Sequence, residues 1–216
     1  MDVQIEKVIQ EHEPMAETMP NVITAMSSLL QRVSETNDDM SSPLWEHQRI
    51  SSFSALTRPS ISIRSYMERI FKYANCSNSC YIVAYVYLDR FIQKQPFVPV
   101  DSYNVHRLII TSVLVSAKFM DDMCYNNAYY AKIGGITTEE MNLLELDFLF
   151  GIGFQLNVTL STYNKYCSSL QREMVIRTMY SPLLESSFLT FKNLQTSLYE
   201  EDSLSNHQNK QLTTAV

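Results

Sequence analysis

Apolar residues recur at helical spacing along most of the chain, and this spacing predicts amphipathic helices. The first stripe lies in residues 20–36 and consists of Val22, Ile23, Met26, Leu29, Leu30 and Val33. The pattern then predicts five closely spaced helices, over residues 62–74, 78–95, 101–120, 126–133 and 137–151. A sixth helix is predicted for residues 161–174, and a weaker apolar stripe follows it to Tyr199.

Two of these helices, over residues 78–95 and 101–120, are apolar on nearly every side, which is typical of helices at the centre of a bundle. Their Val and Ile content would also suit the strands of an α/β sheet. Each segment, however, runs for about 18 residues without Gly or Pro, and this length favours a helix. We therefore expect an all-α protein with a single five-helix bundle and flanking N- and C-terminal helices.

Residues with capping and stop preferences lie at the predicted helix ends. Ser62 is expected to be the N-cap of the first of the five helices, and Asp101 the cap of the third. Pro96 ends the second helix. Thr137 and Glu140 have the spacing of a capping box at the start of the fifth.

On this basis the chain divides into six parts. Residues 1–19 are acidic and Met-rich, and are expected to be a frayed helix or disordered. The other parts are an amphipathic helix (20–36), an irregular linker (37–60), the helical bundle (61–160), a C-terminal helical extension (161–199) and a disordered tail (200–216). Ser42 and Ser181 each precede a proline in segments expected to be flexible, where a proline-directed kinase could reach them.

The net charge is −6, and the excess of acid lies in residues 1–40, which hold eight acidic and two basic residues. No run of Lys or Arg occurs, whereas proteins that bind nucleic-acid phosphates usually carry a clustered basic footprint. We therefore expect no nucleic-acid partner. The chain contains only 4 Gly, which argues against a turn-rich β-sandwich or barrel.

No stretch of about 18 consecutive apolar residues occurs, so no membrane anchor is expected. Because Asp2, Glu6 and Lys7 place charges in the first ten residues, we expect neither a signal peptide nor secretion.

The four cysteines, Cys76, Cys80, Cys124 and Cys167, are expected to be reduced thiols in a helical core. Cys76 and Cys80 are four residues apart and could share a helix face, but no second Cys or His pair completes a zinc site. The sequence also lacks a glycine-rich phosphate loop, a nucleophile elbow and a zinc-protease motif. We therefore expect no enzymatic activity, no metal, no cofactor and no small-molecule substrate.

Four phrases resemble successive landmarks of a cyclin box. They are Arg-Ser-Tyr-Met-Glu-Arg-Ile at 64–70, Tyr-Leu-Asp-Arg-Phe at 87–91, Ser-Ala-Lys-Phe at 116–119 and Leu-Glu-Leu-Asp-Phe-Leu at 144–149. The resemblance covers roughly residues 60–160, about half the chain. The short chain, the single box and the phrases at 56–59 and 118–122 are similar to the plant P-type (U-type) cyclins, which are kin to phosphate-pathway cyclins of fungi.

The resemblance implies a regulatory subunit that binds and activates a cyclin-dependent Ser/Thr kinase as a heterodimer, in cell-cycle control or nutrient signalling. In cyclins a Lys and a Glu hydrogen-bond backbone groups that lead into the αC helix of the kinase, and here these would be Lys118 and Glu145. An ammonium group donates to free carbonyls, and a carboxylate accepts from free N–H groups. The resemblance places four residues in the apolar floor beside them, namely Val115, Phe119, Leu149 and Leu156. The cyclin would supply no catalytic group, but would hold αC inward and so complete the kinase's own phosphate-binding site.

Two further residues, Arg64 and Asp89, match a family pair that bridges the first two helices of the box, and we expect an internal ion pair between them. Arg69 and Ile70 stand where cell-cycle cyclins carry an acidic residue and a Trp in a substrate-docking groove. That groove is therefore not expected here, and neither is a second cyclin box.

Alternatives to this interpretation stay open at the level of sequence. Lys118 could be an ordinary helix-end lysine, and Glu145 could pair within the bundle. The protein could also be a non-activating kinase scaffold, or a cyclin-fold adaptor in transcription, although adaptors of that kind are usually basic and carry two repeats. A location in the nucleus, the cytoplasm or both is expected from the resemblance alone.

Overall fold

The computed structural model of the protein describes residues 18–40 and 51–180. All regular secondary structure in these ranges is α-helical, which confirms the all-α prediction. The helices are α1 (Thr18–Met40), α2 (Ile63–Ala74), α3 (Asn78–Lys94), α4 (Val105–Met120), α5 (Asn127–Gly134), α6 (Thr138–Gly151) and α7 (Leu160–Tyr180). The described residues up to Val175 belong to one compact unit, and of the second unit only residues 176–180, at the end of α7, are described.

Several sequence predictions lie outside the described residues. They concern the acidic segment before Thr18, both Ser-Pro steps, the polar tail and the part of the C-terminal extension beyond Tyr180. The N-terminal helix predicted for residues 20–36 is present and longer, since α1 runs to Met40. No helix in the described ranges combines the length and the apolar character that crossing a bilayer requires.

The core is centred on α3 and α4, which pack along each other. In α4 every residue from Val105 to Ala117 except Arg107 is buried, and α3 is buried over most of its circumference. The β-branched residues of these two helices therefore fill the centre of a helical bundle, as their all-round apolar pattern predicts.

The segment before α2 is irregular but anchored by Phe53. This ring is buried against Phe91 of α3 and Phe148 of α6, at centroid distances of 5.1 and 6.3 Å. The rings of Phe91 and Phe148 are themselves stacked at 5.1 Å. The three rings join this segment, α3 and α6, and so hold α6 in a fixed position on the core.

The N-terminal helix α1 packs on α2 and α3 through buried apolar residues such as Met26 and Leu30. Polar contacts extend this packing. Nη1 of Arg32 lies 2.5 Å from Oε1 of the buried Glu173 on α7, and Nδ2 of Asn37 donates to the carbonyl of Val100 at 2.7 Å. The described part of α1 is therefore integrated into the compact unit.

Two predicted N-caps are confirmed by their hydrogen bonds. The hydroxyl of Ser62 accepts from the N–H of Ser65 at 3.1 Å, and the hydroxyl of Thr137 accepts from the N–H of Glu140 at 3.1 Å. The side chain of Glu140 instead reaches α4, where Oε1 lies 2.5 Å from Nε of Arg107. Only the Thr137 half of the capping box therefore caps α6, while the carboxylate of Glu140 links α6 to α4.

The prediction that Asp101 caps α4 is wrong. The helix begins at Val105, with Asn104 at the N-cap position. The carboxylate of Asp101 accepts from the N–H groups of Tyr103 and Asn104 at 2.8 and 3.0 Å, which forms a separate turn before the helix.

The predicted ion pair between Arg64 and Asp89 is also wrong. Arg64 lies on the exposed face of α2, where its Nε is 2.9 Å from Oε1 of Glu68, one turn further along. Asp89 is buried and faces α7, where it accepts hydrogen bonds from Tyr166 and, at 2.6 Å, from Gln93. Burial raises the pKa of Asp89, and these two donors partly offset that effect.

Candidate functional site

The two polar residues singled out from the sequence, Lys118 and Glu145, are in contact. Lys118 lies in the last turn of α4 and Glu145 in the middle of α6, and Nζ is 2.6 Å from Oε1. The side chains are 35% and 17% exposed, so the pair stands at the surface with the carboxylate set deeper. In the protein without a partner, Glu145 therefore does pair within the bundle, as the alternative interpretation of the sequence allowed.

Two asparagines that the sequence analysis missed fix this pair. Nδ2 of Asn127, at the start of α5, donates to Oε2 of Glu145 at 2.7 Å and to Oδ1 of Asn142 at 2.7 Å. Asn142 lies three residues before Glu145 and therefore on the same face of α6. The three-residue spacing of Asn142 and Glu145 was the feature of the sequence that could have indicated this contact. The network joins the ends of α4 and α5 to α6, and holds the carboxylate in one orientation.

The pair retains capacity to bind further groups. An ammonium has three donors, of which Lys118 uses one on Glu145, and each carboxylate oxygen has two lone pairs. Glu145 accepts one hydrogen bond at each oxygen from the described residues. Lys118 can therefore donate to an incoming carbonyl while Glu145 accepts from an incoming N–H.

The four apolar residues predicted to surround this pair occupy different depths. Phe119 is exposed at the end of α4, and Leu149 and Leu156 are half-buried. Val115 is only 3% exposed, so the structure places it beneath the surface and not on it. Three of the four residues are therefore accessible to a partner, whereas Val115 is buried.

The outer side of α6 carries large apolar residues that face solvent. Leu143, Leu146 and Phe150 are 61%, 49% and 65% exposed, while Met141, Leu144 and Phe148 fill the inner side. The ring of Phe150 contacts that of Phe154 just beyond the helix, at a centroid distance of 5.2 Å. We call Leu143, Leu146, Phe150 and Phe154 the outer face of α6. Contiguous exposed apolar residues of this kind mark interaction sites.

An unusual backbone turn holds Phe154 in this face. Gly153 and Phe154 have φ angles of 61° and 56°, in the left-handed region that a bulky residue rarely adopts. The N–H of Phe154 donates to the carbonyl of Leu149 at 2.9 Å, and Nζ of Lys94 donates to the carbonyl of Ile152 at 2.8 Å. Strained conformations of this type persist only where neighbouring structure enforces them, and they cluster at functional sites.

A shallow pocket of about 500 Å³ has Lys118 in its lining. Its lining includes Cys124 and Tyr125 from the α4–α5 connection, and Asn127 of the polar network. The ring of Tyr125 stacks on Tyr129 at 4.0 Å. The polar pair is thus bordered by a concave region as well as by the outer face of α6.

Comparison with known proteins identifies the family of this fold and surface. The family model described as Cyclin matches residues 11–156, which is more than half the chain. The chain belongs to the cyclin family. It is 78% identical over 214 residues to Cyclin-U4-2 of Arabidopsis thaliana, a match that covers 98% of this chain and 97% of that relative.

Rice supplies a second group of relatives. The cyclin is 57% identical over 163 residues to Cyclin-P4-1 of Oryza sativa subsp. japonica, covering 74% of this chain and 77% of the relative. The predicted resemblance to plant P-type and U-type cyclins is therefore confirmed, together with the cyclin fold. The matched residues include Lys118, Glu145 and the whole outer face of α6.

The described part of the cyclin offers no group of three His, Cys, Asp or Glu side chains arranged to hold a metal ion. The site combines a charged donor, a charged acceptor and an apolar helix face.

Proposed function

We propose that this cyclin binds and activates a cyclin-dependent Ser/Thr kinase through Lys118, Glu145 and the outer face of α6. Cyclins as a family bind and regulate such kinases, and this general role follows from family membership. The observation that carries the proposal is that α6 has large apolar residues on both of its sides. Its outer side faces solvent, next to a fixed polar pair. A helix that is apolar all round is normally buried, so its outer side has the character of an interface.

Recognition and activation are coupled in this proposal. Lys118 donates to free carbonyls, and Glu145 accepts from free N–H groups, at the backbone that leads into the αC helix of the kinase. The outer face of α6 buries its apolar side chains against the same region. Holding αC inward completes the Lys–Glu ion pair of the kinase and hence its phosphate-binding site. The cyclin biases a two-state element of its partner and contributes no catalytic group.

The proposal places the heterodimer in cell-cycle control or nutrient signalling, and the protein in the nucleus, the cytoplasm or both. Its support is the similarity to the plant U-type and P-type cyclins. A scaffold that binds the kinase without activating it would use the same surface. Only a measurement of kinase activity separates the two.

The test is a pull-down of a purified cyclin-dependent kinase by the wild type and by Lys118→Glu, with kinase activity measured on both eluates. Reversing one charge of a desolvated polar contact costs about 2–5 kcal/mol, enough to abolish a complex of micromolar affinity. Lys72→Glu is the matched control, because Lys72 is an exposed lysine on α2, a helix that contributes no residue to the site.

We expect wild type and Lys72→Glu to bind and activate the kinase, and a folded Lys118→Glu to do neither. Circular dichroism establishes that each variant folds. Equal binding by Lys118→Glu and wild type would show that the kinase docks elsewhere. If the wild type binds the kinase without activating it, the protein is a non-activating scaffold.

A further inference from the structure

Asn142 is a further polar residue on the side of α6 that carries Glu145. It is exposed in the second turn of the helix, three residues before Glu145. Its Oδ1 accepts from Nδ2 of Asn127 at 2.7 Å, and among the described residues Asn142 makes no other side-chain hydrogen bond. The described part of the fold therefore uses the oxygen of this carboxamide and leaves its amide nitrogen available.

The charge of Glu145 fixes the orientation of both asparagine side chains. Only the nitrogen of a carboxamide can donate to a carboxylate, so Nδ2 of Asn127 must face Oε2 of Glu145. The second proton of this nitrogen goes to Asn142, and only the oxygen of Asn142 can accept it. A reversed Asn142 would set two amide nitrogens against each other. Nδ2 of Asn142, with both of its protons, therefore points away from Asn127.

Three neighbouring groups thus present a donor, an acceptor and a second donor. Nζ of Lys118 lies 2.6 Å from one oxygen of Glu145, and Asn127 links the other oxygen to Asn142. Lys118 has two donors left, each oxygen of Glu145 keeps a lone pair, and Asn142 keeps both amide protons. We call Lys118, Glu145 and Asn142 the polar row.

We propose that Asn142 is a further partner-binding residue, and that the polar row recognises a kinase backbone segment offering a carbonyl, an N–H and a second carbonyl. The interior of a helix or a sheet cannot offer them, because these groups are already paired there. A segment that leads into a helix can, since the first four N–H groups of a helix have no partner within it. The inference rests on the proposed function, which places such a segment at Lys118 and Glu145.

Apolar neighbours make the amide of Asn142 selective. Leu146 lies one turn further along the same side of α6, and both Leu143 and Leu146 are exposed. A partner that covers these side chains also removes water from Nδ2 of Asn142. A covered donor without an acceptor costs free energy, so a partner that brings no carbonyl to this place is penalised. Asn142 therefore selects among partners that could all bury the outer face of α6.

Calorimetric titration with a purified cyclin-dependent kinase measures the contribution of this amide. Asn142→Asp keeps an oxygen for Asn127 but adds a charge, whereas Asn142→Ala removes that oxygen without adding a charge. The loss of the donor is the change that the two variants share. We expect the Kd to rise by about fivefold or more in Asn142→Ala, because a kinase carbonyl loses its donor. In Asn142→Asp it should rise by about tenfold or more, because a carboxylate then faces that carbonyl.

Asn164→Asp is the matched control, because Asn164 is exposed on α7, a helix that contributes no residue to the site. Its Kd should stay within about twofold of that of the wild type. Urea denaturation establishes that each variant folds. Weaker binding by only one of the two Asn142 variants would overturn the inference, since the donor would then not be the cause.

The two proposals fail in different ways. If both Asn142 variants bind like the wild type while Lys118→Glu does not bind, the role of Asn142 is wrong and the proposed function stands. If the wild type does not bind the kinase, the proposed function fails, and with it the partner assigned to Asn142.

Nuclear magnetic resonance of the side-chain amides tests the orientation in the free protein. Both amide protons of Asn127 are held in hydrogen bonds, so they should exchange with water about tenfold more slowly than those of Asn142. Equal exchange at the two residues would overturn the orientation. Addition of the kinase should slow exchange at Asn142 by about tenfold, and unchanged exchange there in the complex would overturn its contact with the kinase.

Discussion

Replacement of Glu145 by Gln separates the structural role of the Lys118–Glu145 pair from its role in binding. Glutamine keeps the shape of the side chain and an acceptor oxygen for Asn127, but removes the charge. The pair is partly exposed on both sides, so water already screens it. We therefore expect Glu145→Gln to lower the free energy of unfolding by only about 1 kcal/mol.

Binding should respond far more strongly to the same change. In the proposed complex the carboxylate is covered by the kinase, and removing one side of a covered charged contact costs about 2–5 kcal/mol. Each 1.4 kcal/mol is a factor of about ten in affinity, so the Kd should rise by about 30-fold or more. A large change in Kd together with a small change in the free energy of unfolding would identify Glu145 as a binding residue, and neither change alone would do so.

Urea denaturation measures the first quantity, and calorimetric titration with a purified cyclin-dependent kinase measures the second. Lys118→Met and the double variant complete a cycle, and Lys72→Met on α2 is the control for loss of an exposed lysine. A fall of about 3 kcal/mol or more in unfolding free energy would show that the pair mainly supports the fold. A Kd within about twofold of wild type would show that Glu145 lies outside the interface.

Three further predictions concern the bundle that positions this surface. Gly151→Ala should destabilise by about 1–3 kcal/mol, because an added Cβ would lie 2.5 Å from the ring of Phe91, whereas Gly134→Ala, with its nearest contact at 3.3 Å, should cost less in the same urea titration. Phe53→Ala should lower the free energy of unfolding by about 3–5 kcal/mol, because it empties a buried aromatic contact, and a loss under about 1 kcal/mol would contradict the packing described. Burial, reinforced by nearby arginines, lowers the pKa of His106 below 6.5. As the pH falls, His106 therefore takes up a proton in the unfolded chain before it does so in the folded protein. The free energy of unfolding should therefore decrease as the pH falls below about 6.5. Denaturation at pH 7.5 and 5.5 should show this decline reduced in His106→Gln, and an equal decline in both proteins would contradict it.

The helices were predictable because burial leaves a periodic record in the sequence. The helices α3 and α4 are apolar all round and lie at the centre, so pattern and environment agree. Helix ends depend on which local hydrogen bond prevails, and this was less predictable. Ser62 caps α2 as its residue type indicates, but Asp101 satisfies the N–H groups of a preceding turn and delays α4 to Val105.

Side-chain pairing between helices was harder to predict than the helices themselves. Arg64 and Asp89 lie on adjacent helices, yet Arg64 projects outward to Glu68 while Asp89 turns inward to Tyr166. The rotation of each helix about its own axis decides such contacts, and one-dimensional spacing does not specify it. Lys118 could be placed at the surface from a family phrase, but its contact with Glu145 depends on how α4 and α6 pack.

None of the residues in the outer face of α6 was among the predicted site residues, for a related reason. Leu146 and Phe148 are both large apolar residues in the same helix, but Leu146 faces solvent and Phe148 is buried in the core. Phe154 joins the face only because Gly153 and Phe154 itself adopt left-handed conformations. The Gly just before Phe154 was a signal of a turn, but the direction in which the turn aims the ring is a property of three-dimensional structure.

In the proposed complex, the inner side of α6 supports the fold and the outer side meets the partner. The inner residues, Met141, Leu144 and Phe148, hold the helix on the core, so the outer face and Glu145 are presented without first being ordered. The asparagine network likewise fixes the carboxylate before a partner arrives. Because little conformational freedom remains to be lost, more of the contact energy is available for affinity. An apolar face alone would accept many partners, whereas a charged donor and acceptor at fixed positions penalise any backbone that leaves them unpaired. Specificity should therefore depend on Lys118 and Glu145, and affinity on the apolar residues beside them.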